Sequence, residues 1–118
     1  KAGAPYIVLT KIRNGDMDVE VSVPHVEQYQ QRIPVLVDDI ISTGRTMIET
    51  MEHLSKAGMQ APVCIGVHAV FAGDAYNQLL NAGARQVVTC NTIPHPSNAI
   101  DLSGLLCDGV ESVFDVNI

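Results

Sequence analysis

Between Val35 and Met47 the chain reads Val-Leu-Val-Asp-Asp-Ile-Ile-Ser-Thr-Gly-Arg-Thr-Met. Asp38 and Asp39 are adjacent carboxylates, and Ser42, Thr43 and Thr46 are hydroxyls set around Gly44 and Arg45. Carboxylates repel phosphate, but they accept hydrogen bonds from vicinal hydroxyls or hold a magnesium ion through water. A helix that begins just after them has first-turn N–H groups with no intrahelical acceptor. Those groups, with the hydroxyls, can receive a phosphate dianion. Gly44 lets the backbone come close to such a ligand. An acid pair that binds hydroxyls, followed within a few residues by a phosphate pocket, describes a sugar phosphate. The plainer alternative is an ordinary strand-to-helix turn, with Ser42 or Thr43 as the cap and the acids near the helix dipole.

A second candidate group is cationic. Lys11 and Arg13 are separated by one residue in a strand-like run, so their side chains share a face. On a hairpin arm they could reach over a site and neutralise charge on a transferring diphosphoryl group. The alternative is a solvated edge strand whose positive charges discourage sheet-to-sheet pairing.

These groups need elements to hold them. Tyr6 to Thr10 reads as strand, Asn14-Gly15 suits a two-residue turn, and Val19, Val21 and Val23 alternate with polar residues. Residues 6–23 are therefore expected to form a β-hairpin. Pro34 to Val37 is a short aliphatic run without alternation, expected as a strand buried on both faces. From Arg45 the period changes to helical, with Met47, Ile48, Met51 and Leu54 on one face and Gly58 at the end. Strand over Val63–Val70, helix from about Asp74 to Ala82 and strand over Gln86–Cys90 follow. This succession implies a parallel sheet with right-handed crossovers. Asn91 to Asn98 reads as loop, and the remaining tail gives weak signals. The fold class is α/β.

The 118 residues, 47% of them hydrophobic, suit one domain spanning 1–118. A formal charge of −6 argues against a broad grip on nucleic acid, which needs a basic face. Backbone amides and a few placed cations can still hold phosphate. No apolar stretch reaches membrane-spanning length and no signal peptide opens the chain, so the cytoplasm is expected. Cys64, Cys90 and Cys107 are far apart and odd in number, which suits free thiols in a reducing compartment.

The stretch from Val35 to Met47 resembles the signature of the type I phosphoribosyltransferase fold. Lys11-Ile12-Arg13, the run Gly66-Val67-His68-Ala69-Val70-Phe71-Ala72-Gly73 and Cys90-Asn91-Thr92-Ile93-Pro94 narrow the likeness to the ribose-phosphate diphosphokinases. The resemblance covers nearly the whole chain, but only the carboxyl-terminal domain of those enzymes. It implies a three-layer fold, a mostly parallel central sheet with flanking helices plus the hairpin arm. It also implies transfer of the diphosphoryl group of ATP to ribose 5-phosphate with Mg2+, giving phosphoribosyl diphosphate and AMP, in a homo-oligomer. Ser42, Thr43, Gly44, Arg45 and Thr46 would hold the 5-phosphate, Asp38 and Asp39 the ribose hydroxyls or the metal, and Lys11 and Arg13 the transferring group. Gly44-Arg45 stands where many relatives have two small residues.

A part of a longer enzyme is expected on this likeness, inactive by itself. Two alternatives share the loop: a phosphoribosyltransferase that consumes phosphoribosyl diphosphate, and a non-catalytic regulatory homologue, against which the presence of both Lys11 and Arg13 speaks. His68, in a buried strand run, is expected as a core or supporting group, with His25, His53 and His95 on the surface in no metal pattern. Asn91 and Thr92 end the third strand of the parallel succession on the ligand side of the sheet.

Overall fold

The computed structural model describes residues 2–13, 19–22 and 25–114, and the side chains of 2–10 and 25–114. Four strands, β3 (Val35–Ile41), β4 (Val63–Ala69), β5 (Gln86–Cys90) and β6 (Asn98–Ile100), form one parallel sheet in chain order. Helix α1 (Arg45–Lys56) joins β3 to β4, and α2 (Ala75–Asn81) joins β4 to β5. A separate antiparallel pair, β1 (Thr10–Arg13) and β2 (Val19–Ser22), sets Lys11 opposite Val21 and Arg13 opposite Val19. Asn14-Gly15, expected to turn this hairpin, lies outside the described residues.

Helix α1 forms because its apolar residues recur at helical spacing. Met47, Met51 and Leu54 are buried, with Thr50 between them, while Glu52 and Lys56 face solvent. Strand order follows chain order, so each right-handed crossover lays its helix on the same face. Met47 and Met51 of α1 and Leu79 of α2 accordingly share one core with Ile41, Cys64 and Val87. Burying side chains such as Ile41 and Leu79 contributes roughly 1.5–3 kcal/mol each.

Of the three layers expected, the described residues build the sheet and one helical layer upon it. β3 was expected to be buried on both faces; instead Val35 and Val37 are exposed, Val37 at 71%. The reason is position: β3 is the sheet's edge, and both helices cover the opposite face. Tyr6 to Leu9 was expected as strand, but pairing begins only at Thr10. Tyr6 and Val8 are exposed, so the strand-forming preference of these residues meets no packed neighbour. Residues 91–97 form the expected loop, and beyond it the short β6 and helix α3 (Ser103–Phe114) stand where the tail gave weak signals.

Candidate functional site

β3 runs on through both aspartates to Ile41, and α1 begins at Arg45, so Ser42, Thr43 and Gly44 make the whole connection. Gly44 is the helix cap, at φ 72°, and no side chain caps the helix. The plain reading of this turn, with Ser42 or Thr43 as cap, is thereby not met. The nearest approach is Arg45 N–H to Thr43 Oγ1, a long contact of 3.4 Å. Among the described residues, no acceptor takes the amide N–H of Ser42, Thr43, Gly44, Thr46 or Met47. These donors border a cavity of about 160 Å³ lined by Asp38 and residues 40–47, Arg45 included. A larger groove, about 670 Å³, lies between residues 4–9 and the β3–α1 edge. Its lining is mostly apolar, so the polar chemistry concentrates in the smaller cavity.

The fold holds this loop from behind. A Cβ at Gly44 would meet the Leu79 side chain at 3.3 Å, so the glycine is demanded by α2 packing as well as by its left-handed backbone. Ile41, the last residue of β3, fills the space over Gly66, where an added Cβ would lie 2.6 Å from its side chain. The chain leaving β4 then ties down the loop's carbonyls: Phe71 N–H donates to Ile41 O at 2.8 Å and Ala72 N–H to Ser42 O at 2.9 Å. Phe71 adopts φ 39°, a strained value for a bulky residue. Its ring packs on Tyr76 (centroids 5.4 Å apart) and His95 (4.4 Å).

Asp38 lines the small cavity. Its neighbour Asp39 is exposed, and its carboxyl is held below the ordinary value of 3.8. The main cause is Ile40 N–H, which donates to Asp39 Oδ1 at 2.7 Å; the Asp38 side chain and the charge of the His68 ring act in the same direction. His68 faces Ile40 across the β3–β4 register. Its Nδ1 lies 2.7 Å from Thr92 Oγ1, and Thr92 Oγ1 is 3.3 Å from Val67 O.

The structure thus gathers Asp38, Ser42, Thr43, Gly44, Arg45 and Thr46 around one cavity and sets Asp39 beside it. Lys11 and Arg13 lie on β1, and their side chains are outside the described residues. Reading the residues alone undervalued Phe71 and Leu79, whereas His68, expected as a core or supporting group, is half-buried and paired with Thr92. His95, expected on the surface, is half-buried against Phe71 and Tyr76. The signal for His68 and Thr92 was positional, since both stand near the carboxyl ends of parallel strands, where open α/β sheets gather ligands.

For a metal, Asp38 and Asp39 offer carboxylate oxygens. Among the described residues no cluster of three or more His, Cys, Asp or Glu forms. That donor set suits magnesium, which keeps several waters and binds through one or two carboxylates with substrate oxygens. No helix among the described residues is long and apolar enough to cross a membrane.

A phosphoribosyl transferase domain model matches residues 1–103. The chain is 38% identical over 68 residues to a ribose-phosphate pyrophosphokinase of Sulfolobus acidocaldarius, covering 58% of this chain and 23% of that protein. It is 33% identical over 99 residues to the enzyme of that name from Sulfurisphaera tokodaii, covering 82% and 34%. With the one from Streptomyces coelicolor it shares 34% over 123 residues, covering 98% and 38%. The chain therefore spans well under half the length of these curated relatives.

Proposed function

The chain belongs to the phosphoribosyl transferase domain family, and on that premise we propose that it is the sugar-phosphate-binding part of a ribose-phosphate diphosphokinase. The single observation that carries this reading is the open first turn of α1, whose amides border the small cavity beneath Asp38. Ser42 to Thr46 hold the 5-phosphate of ribose 5-phosphate through backbone N–H groups, hydroxyls and Arg45. Asp38 and Asp39 accept hydrogen bonds from the ribose hydroxyls.

In the reaction, the anomeric oxygen of the sugar bonds to the β-phosphorus of ATP. The bridge from that phosphorus to the α-phosphate breaks, AMP departs, and the anomeric hydroxyl loses its proton. Asp38 and Asp39 would also hold Mg2+, which when bound neutralises charge on the diphosphate oxygens. Lys11 and Arg13 on the hairpin stabilise the transferring group, and no covalent nucleophile is required. A cytoplasmic homo-oligomer, with the ATP site completed elsewhere in the enzyme, belongs to the same reading.

Titration with ribose 5-phosphate, followed by amide NMR, tests it. Shifts concentrated at residues 42–47, and an Asp39→Ala change that weakens binding by about 1–3 kcal/mol, are expected. A titration that leaves those amides unmoved would sink the proposal.

A further inference from the structure

The donors and acceptors of the site are sorted by place. The loop offers N–H groups and Arg45, which suit an anion, whereas Asp38 and Asp39 offer only acceptors, which suit hydroxyls. His68 stands on the acceptor side, opposite Ile40 in register and in the neighbourhood of Asp39. We infer that His68 is a further binding residue of this site, its Nε2 accepting a hydrogen bond from a sugar hydroxyl in a tautomer selected by Thr92. The inference rests on the sugar-phosphate reading above.

The selection follows from one proton. Thr92 has a single hydroxyl hydrogen and two near neighbours, Val67 O at 3.3 Å and His68 Nδ1 at 2.7 Å. A carbonyl oxygen can only accept, so both contacts are satisfied only when Thr92 donates to Val67 and His68 Nδ1–H donates to Thr92. A neutral imidazole with its proton on Nδ1 carries a lone pair on Nε2. Among the described residues, no donor reaches that nitrogen. His68 is half-buried rather than sealed in the core, so a ligand at the carboxyl edge of the sheet has access to it. A neutral imidazole acceptor on β4, added to the two carboxylates of β3, complements a polyol and repels a bare anion.

The test uses the whole 118-residue chain, labelled with 15N and observed at the imidazole nitrogens and backbone amides. The free chain is expected to show His68 protonated on Nδ1, and Thr92→Val to shift the ring toward the other tautomer. Ribose 5-phosphate should move both the loop amides and His68 Nε2, whereas inorganic phosphate should move the loop amides alone. His68→Phe should raise the Kd for ribose 5-phosphate about fivefold, the scale of one neutral hydrogen bond, and leave that for inorganic phosphate unchanged. Thr92→Val should weaken ribose 5-phosphate binding in the same selective way while the histidine remains.

Either of two results overturns the inference alone: a free ring protonated on Nε2, or ribose 5-phosphate binding that moves the loop amides with no response at His68 and no loss in either variant. Loop amides silent to both ligands would overturn the functional reading and this inference together.

Discussion

Gly44 carries two constraints at once, a left-handed backbone and contact with Leu79. Gly44→Ala is therefore expected to destabilise the chain by about 1–3 kcal/mol in urea unfolding and to loosen the loop it ends. Asp39 makes a different prediction. A carboxyl whose folded pKa lies below 3.8 contributes stability above pH 3.8, and loses it as the pH falls through the lower folded value. Carbon-13 titration of Asp39 should accordingly give a midpoint under 3.8. Ribose 5-phosphate binding should show no step from this carboxylate between roughly pH 5 and 8. Burial pushes the Cys64 thiol up to about 11, while Cys107 is exposed. At neutral pH a thiol reagent should label Cys107 readily and spare Cys64 until the chain unfolds.

Among the elements, those with strong periodicity were legible in the residues. α1 was expected from Arg45 with its end near Gly58, and Met47, Met51 and Leu54 are indeed its buried stripe. β5 was expected at Gln86–Cys90 and is found there. Tyr6 to Leu9 misled because β propensity records the neighbours a strand finds, and among the described residues these four have no ladder partner, with Tyr6 and Val8 exposed. β6 has three residues, too few for any period, and α3 lacks a buried stripe that would mark one face. The loop at Ser42–Thr46 was legible as a pattern of residue types, but its support from Leu79, Phe71 and Gly66 is tertiary and leaves no local trace. The Gly66 contact can be tested directly. Gly66→Ala would drive a methyl group into Ile41 and is expected to cost about 1–3 kcal/mol, with a shift of the Ser42 and Thr43 amides.

At the scale of the molecule, α3 presents every residue to solvent, among them Leu105, Leu106, Val110, Val113 and Phe114. Its start is tied down where Asp101 accepts from Ser103 N–H and Asn91 from Leu102 N–H. Ending the chain at residue 102 should therefore leave the sheet's melting temperature nearly unchanged, as read by circular dichroism. A large fall in that temperature would show that α3 supports the sheet. The acidic balance of −6 keeps attraction to phosphate local to the loop, so salt should weaken ribose 5-phosphate binding only modestly. One feature of the molecule also makes it readable by light. The grasp of Phe71 and Ala72 on the carbonyls of Ile41 and Ser42 couples the Ser42–Thr46 loop to the aromatic cluster of Phe71, Tyr76 and His95. The sequence contains no tryptophan, so Tyr76→Trp would install a single indole, excitable apart from the tyrosines, at the far end of that linkage, and its emission is expected to change when ribose 5-phosphate is added.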